Sequence, residues 1–136
     1  MRPPFIRRAS TAAVFVMLGL CGGCNQKKPV PAATAADVAA AQQEAQREVA
    51  QAQLEAKKDV RSVVKIMGAE SKDVARARVT GSFDIAMAHA DGDHKVALET
   101  CMTLALAAQQ ACKEKAEMDY QSAVTKAKAI RVSHHQ

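Results

Sequence analysis

Between Val38 and Val96 a branched apolar residue recurs behind an acid or a polar residue, at Asp37-Val38, Glu48-Val49, Asp59-Val60, Asp73-Val74, Asp84-Ile85 and Lys95-Val96. The branched residues stand 11, 11, 14, 11 and 11 positions apart. Eleven residues make three helical turns at about 3.67 residues per turn, and fourteen make about four, so the longer step keeps to the same helix face. Steps of 3, 4 and 4 fill the stripe as Val38, Ala41, Ala45, Val49, Ala52, Ala56, Val60, Val63 and Met67. Past Gly68 it resumes as Val74, Ala77, Gly81, Ile85, Ala88, Gly92 and Val96. The Lys-Asp-Val triplets at 58–60 and 72–74 are thus one repeat unit met twice, not a catalytic pair.

This stripe is narrow and mostly alanine. A lone helix of that kind buries little, so its stability must come from propensity, length and a partner helix. Three Phe, one Tyr and no Trp exclude a conventional globular core. The expected class is all-α, with a long Ala-rich helical region over 35–104. A lipid-binding role for the stripe is disfavoured, because the face lacks the large residues that insert into lipid. Gly68, Gly81 and Gly92 interrupt the pattern, each costing about 1 kcal/mol against Ala inside a helix. Two of them occupy stripe positions, where a missing side chain lets another backbone come close. Gly81-Ser82 and Asp91-Gly92-Asp93 also carry turn chemistry. The expectation is a helix stop near Gly68 and bends near Gly81 and Gly92.

The ends speak to location. MRPPFIRR carries Arg2, Arg7 and Arg8 and no acid, and a short apolar run from Ala12 to Leu20 follows. That is the pattern of a secretory signal over 1–23, too short to cross a bilayer by itself. Gly22-Gly23-Cys24 resembles the lipobox of bacterial lipoproteins, with Cys21 where Leu usually stands and Leu20 one place earlier. The resemblance implies that Cys24 becomes the first residue and carries acyl chains, palmitate among them. Asn25, in place of the Asp that retains enteric-type lipoproteins at the inner membrane, implies the periplasmic side of the outer membrane. Residues 24–34, with Pro29 and Pro31, read as a flexible tether. Thr34 then stands three places before Asp37, a capping-box start for the helix. After Cys24 there remain sixteen Lys and Arg against fourteen Asp and Glu. They are interspersed along the chain, which disfavours nucleic acid as a partner.

Cys101 and Cys112 are the two cysteines left, and in an oxidising compartment an even remainder favours one bridge. The segment CMTLALAAQQAC resembles a group of small Ala/Lys-rich envelope lipoproteins and periplasmic proteins of proteobacteria, often labelled hypothetical or TolA-like. The likeness extends upstream to GDHKVALETC and downstream to ACKEKAEMDYQSAVTKAKAIR. In that group the loop between the cysteines usually carries Ser-Gly-Asp or Ser-Gly-Asn, where this chain has Ala105-Leu106-Ala107. It implies a compartment and a C-x10-C helical hairpin, but no activity.

The bridge and an unbroken helix exclude each other. Eleven helical steps would part the two Cα atoms by about 16 Å, whereas a disulfide needs roughly 4.4–6.8 Å. Met102 to Ala111, without Gly or Pro, favours the helix. The compartment, the even count and the family's turn favour the bridge, worth roughly 2–3 kcal/mol. The expectation is therefore a disulfide-closed antiparallel hairpin that reverses near Leu104–Ala108. A returning helix would occupy 105–131 and a frayed tail 132–136. Its stripe of Cys112, Ala116, Tyr120, Ala123, Ala127 and Ile130 would pack on the preceding helix. Partner numbers summing to about 213 set Tyr120 near Asp93 and Ile130 near Phe83.

One short segment could carry chemistry. HADGDH places His89, Asp91, Asp93 and His94 within six residues, ligand types that suit zinc, copper or nickel. It matches no known metal-site spacing and is too short and acid-poor for an EF-hand. The plainer alternative is a solvated turn with Asp93 capping the next helix. His134 and His135 at the tail carry no signal. No nucleophile–base order, phosphate loop or carboxylate pair points to an enzyme or a cofactor. The expected function is that of an outer-membrane-anchored periplasmic lipoprotein, structural or interacting, with peptidoglycan, envelope proteins or its own copies as partners. The alternative is metal buffering through the four HADGDH residues.

Overall fold

The computed structural model describes residues 32–133. The signal over 1–23, Cys24, most of the tether and His134–His135 lie outside the described residues. Within them the chain is all-α: α1 is Ala35–Met67, α2 is Lys72–Met102 and α3 is Leu106–Val132.

Helix α1 opens on the expected capping box. The Asp37 amide donates to Thr34 Oγ1 at 3.3 Å, and Asp37 Oδ2 accepts from the Thr34 amide at 2.7 Å. The bonds that Asp37 Oδ2 accepts from the Thr34 amide and hydroxyl hold its carboxyl below its ordinary value, the amide contributing most. At the far end Gly68 takes φ +85°, a left-handed value that favours glycine, and its amide still donates to the Val64 carbonyl at 3.0 Å. Ser71 then starts α2 by accepting from the Val74 amide at 3.3 Å, with Asp73 in the first turn.

The single long helical region expected over 35–104 is thus two helices, and α2 doubles back along α1. Gly81 lies against Ala56 and Gly92 against Ala45. Positions rise along α2 as they fall along α1, so the pair is antiparallel with partner numbers summing to 137. A positive-φ glycine followed by a serine cap reverses the chain, where a bend alone would have prolonged it. Gly81 and Gly92 do not break α2, which is helical from 72 to 102, in keeping with the expectation of bends and not breaks there.

Close packing replaces bulk at this seam. A methyl built on Gly81 would stand 2.6 Å from Ala56 Cβ, and one on Gly92 would stand 2.7 Å from Ala45 Cβ. The two backbones therefore approach at two points one eleven-residue repeat apart. Within α1, the residues withdrawn from solvent are the stripe from Val38 to Val63 together with Val64, while Met67 is exposed. The register sets Val60 opposite Ala77, Ile85 opposite Ala52 and Val96 opposite Ala41, while Val63 meets Val74 beside the turn. Alternation of this kind lets two narrow faces interdigitate.

At the second turn Cys101 and Cys112 form the expected disulfide, with Cα atoms 5.5 Å apart. Thr103 to Ala105 separate α2 from α3, which returns antiparallel as Leu106–Val132. Gln109 Nε2 donates to the Leu104 carbonyl at 3.0 Å and the Met102 carbonyl at 3.4 Å, so one side chain satisfies two acceptors of the turn. The stripe Cys112, Ala116, Tyr120, Ala123, Ala127 and Ile130 is withdrawn from solvent along its whole length. Its partners are a second face of α2, in which Ala90 and Cys101 are buried. Both outer helices pack on α2, while no Cα of α1 comes within 8 Å of one in α3. The fold is a three-helix layer with α2 in the middle.

Candidate functional site

The HADGDH residues all sit on α2, so neither the expected turn nor a cap by Asp93 forms there. Helical geometry splits them into two pairs. His89 and Asp93, four apart, line the groove beside α1 with Ala45, Gln46 and Val49. Asp91 and His94, three apart, turn to α3 and meet Tyr120. Among the described residues no three His, Cys, Asp or Glu side chains group so as to hold a metal ion.

The pair facing α3 builds a polar lock. The Tyr120 hydroxyl donates to Asp91 Oδ1 at 2.9 Å, and its ring stacks on His94 with centroids 4.5 Å apart and planes inclined by 16°. That hydrogen bond and the Asp91 charge push the phenol above its ordinary value of 10.0. Tyr120 stands beside Asp93 as the register predicts, lining one cleft with it, and reaches Asp91 and His94 on either side, where hydrogen bond and stacking are satisfied together. Glu117 Oε2 lies 3.3 Å from His94 Nε2, yet outside hydrogen-bonding alignment, so that nitrogen is buried without an aligned partner. Farther along, Arg131 places its guanidinium 4.5 Å over the Phe83 ring, the neighbourhood expected for Ile130. These contacts join α2 to α3, and beside them lies a cleft of 280 Å³ lined by Ala90, Asp93, His94, Ala116 and Tyr120.

The more open feature lies between α1 and α2 toward the 68–71 turn. A groove of 630 Å³ has Val60, Ile85, Ala56 and Gly81 along its floor and Lys57, Arg61 and Arg78 along its rim. The three cations are exposed, and among the described residues none lies in an ion pair with a carboxylate. The surrounding stretch 57–78 holds seven Lys and Arg against three acids, Asp59, Glu70 and Asp73. In the sequence these cations are interspersed with acids. The reversal at Gly68 gathers them from both sides of the turn. The sequence signal for this gathering is Gly68, where the helix was expected to stop and where it also reverses.

At the opposite end of this seam Lys95 Nζ meets Glu44 Oε1 at 2.7 Å, tying α2 to α1. The hydrogen bond from Lys95 lowers the Glu44 carboxyl below 4.5, and the same bond raises Lys95 above 10.5. No helix among the described residues is long and apolar enough to cross a membrane. No protein-family model matches the sequence, and neither a curated protein nor a solved structure matches it.

Proposed function

We propose that the chain is a non-enzymatic envelope lipoprotein, held by acyl chains on Cys24 at the periplasmic face of the outer membrane. It presents the basic α1–α2 groove to an acidic envelope partner, peptidoglycan or a protein. The lipobox-like Gly22-Gly23-Cys24 and the likeness to small Ala/Lys-rich envelope lipoproteins support the compartment.

The observation that carries the reading is the direction of the hairpin. Thr34, where the tether ends, stands at one end of α1, and the cations Lys57, Arg61 and Arg78 stand toward the other. A helix rises about 1.5 Å per residue, so Arg61 lies about 40 Å from Thr34 along the axis. A chain tethered at Thr34 can therefore extend its cationic groove about 40 Å beyond the end of the tether. Carboxylates of a cell-wall polymer or an acidic protein suit such a groove, whose floor is apolar and whose rim is cationic.

Two measurements test the parts separately. Cells fed an alkyne fatty acid should label the wild type and not Cys24→Ala; equal labelling of both ends the anchoring claim. Purified protein should co-sediment with peptidoglycan sacculi, and Lys57→Glu/Arg61→Glu/Arg78→Glu should abolish that while leaving the helical circular dichroism unchanged. Co-sedimentation unaffected by the triple change removes the groove as the contact. If the wild type does not co-sediment, crosslinking in cells followed by mass spectrometry should recover an acidic envelope protein through the same groove.

A further inference from the structure

The turn between α2 and α3 differs in chemistry from the rest of the chain. From Thr100 to Cys112 no residue is charged, in a protein whose residues are 24% charged. Leu106 is 85% exposed and Leu104 41%, and Ala105, Ala107 and Ala108 beside them are exposed too. The opposite turn also exposes apolar side chains, Ile66 and Met67, but sets them among Lys65, Glu70, Lys72 and Asp73. Exposure alone does not separate the two ends; charge does.

Position separates them as well. The register in which Ala45 meets Gly92 and Ala56 meets Gly81 places Thr34 level with Thr103. The 2.7 Å pair of Glu44 with Lys95 keeps the two helices side by side close to that end. The tether therefore leaves α1 beside the charge-free turn. Roughly ten residues join Cys24 to Thr34, a reach of about 30 Å at most. An anchor on Cys24 gives this turn, next to the tether, a higher effective concentration at the bilayer than the Ile66 end, which lies nearly the whole length of α1 away.

We infer that the Leu104–Leu106 turn is a second, non-covalent membrane contact that seats in the lipid headgroup–acyl boundary beside the Cys24 anchor. The inference rests on the anchored reading proposed above. The turn is built to lose water: Gln109 occupies the carbonyls of Leu104 and Met102, and the Cys101–Cys112 bridge fixes its shape. Its depth is limited as well. Ala105 gives the first amides of α3 no side-chain cap, so they need polar partners such as headgroups or interfacial water. That keeps the contact shallow, with the leucines reaching the upper acyl chains.

The chain has no tryptophan, so one introduced residue reports alone. The protein purified from membranes as Leu106→Trp, and separately as Ile66→Trp, is placed in phosphatidylcholine vesicles with lipids brominated high on the acyl chain. Alkyne fatty-acid labelling of the same preparations reads the anchor independently. If no label is found, a maleimide lipid coupled to Cys24, with Cys21 replaced by Ser, supplies the tether. The contact then stands or falls apart from the acylation. Leu106→Trp should emit to the blue of Ile66→Trp and be quenched about twofold more by the brominated lipid. Adding Leu104→Glu should erase both differences while the anchored fraction stays the same. Equal, weak quenching at the two sites overturns the proposal. So does a blue shift that grows with protein density and resists bromine, since a second copy of the chain would then cover the turn.

Discussion

Helix α2 has two seams, and they are held by different means. Toward α1 it offers Val74, Gly81, Ile85, Gly92 and Val96, and the helices meet through absent or single-carbon side chains at Gly81–Ala56 and Gly92–Ala45. Toward α3 it offers a disulfide, a Tyr120–His94 stack with a hydrogen bond to Asp91, and Arg131 over Phe83. The first seam relies on shape repeated over a long interface, the second on a few specific locks. A chain poor in large side chains can join helices either way, but the two should fail differently. Shape fails at a single added methyl group, whereas locks fail one at a time.

The largest effect should come from filling the first seam. Gly81→Val/Gly92→Val forces side chains into spaces where even a methyl would stand 2.6–2.7 Å from an alanine Cβ. Overpacking of this kind costs about 1–3 kcal/mol per site. Amide hydrogen exchange should show α1 losing protection throughout while the half of α2 nearest the disulfide keeps it. Uniform loss would mean that the seams are not independent. Next, Cys101→Ser/Cys112→Ser should cost about 3 kcal/mol by freeing a twelve-residue loop in the unfolded chain. Denaturant titration measures it. The α3 amides should then exchange faster than those of α1, the reverse of the glycine variant.

Smaller effects follow pH and set the seams apart. The Asp91 contact raises the Tyr120 phenol, so the folded state holds that proton more tightly than the unfolded chain. Its contribution is whole below about pH 10 and is lost as pH rises through the folded value. The single tyrosine makes ultraviolet titration unambiguous, and Asp91→Asn should bring its midpoint down. Glu44 behaves in the opposite sense. Its lowered carboxyl stabilises the first seam above the ordinary value of 4.5, and that contribution is lost as pH falls through the folded value. Carbon-detected NMR should find the Glu44 midpoint moved back up in Lys95→Ala. An unchanged midpoint would show the pair does not persist in solution.

The stripes were legible because each outer helix has one buried face. Every stripe residue of α1 but Met67, and every stripe residue of α3, is withdrawn from solvent. Helix α2 is buried on two faces, so its single-face pattern captured the contact with α1 and missed Ala90 and its neighbours toward α3. A helix between two partners dilutes its own periodicity. The glycines were legible in part: the helix stops at Gly68, and the stripe glycines admit the close backbone approach that their missing side chains allow. Lack of a side chain permits a bend and permits close approach, and only knowledge that α1 lies alongside decides between them. The same ignorance hid the basic groove, whose cations lie on both sides of the Gly68 reversal. The HADGDH segment looked like one constellation because sequence proximity ignores helical phase. Position 89 faces one neighbour and positions 91 and 94 the other, while Asp93 borders both clefts.

The placement of the turns also settles how the molecule bears tension. A pull between Thr34 and the 68–71 turn runs along the axis of α1 alone, about 50 Å of helix in which each hydrogen bond is loaded in line with its neighbours. Neither seam is peeled open by such a load, since α2 and α3 hang beside the strained element as slack. A pull from the end of α3 would take another route, shearing α3 along α2 against the covalent stop at Cys101–Cys112. Stretched between its tether and its first turn the protein is a cable; gripped by its tail it is a latch.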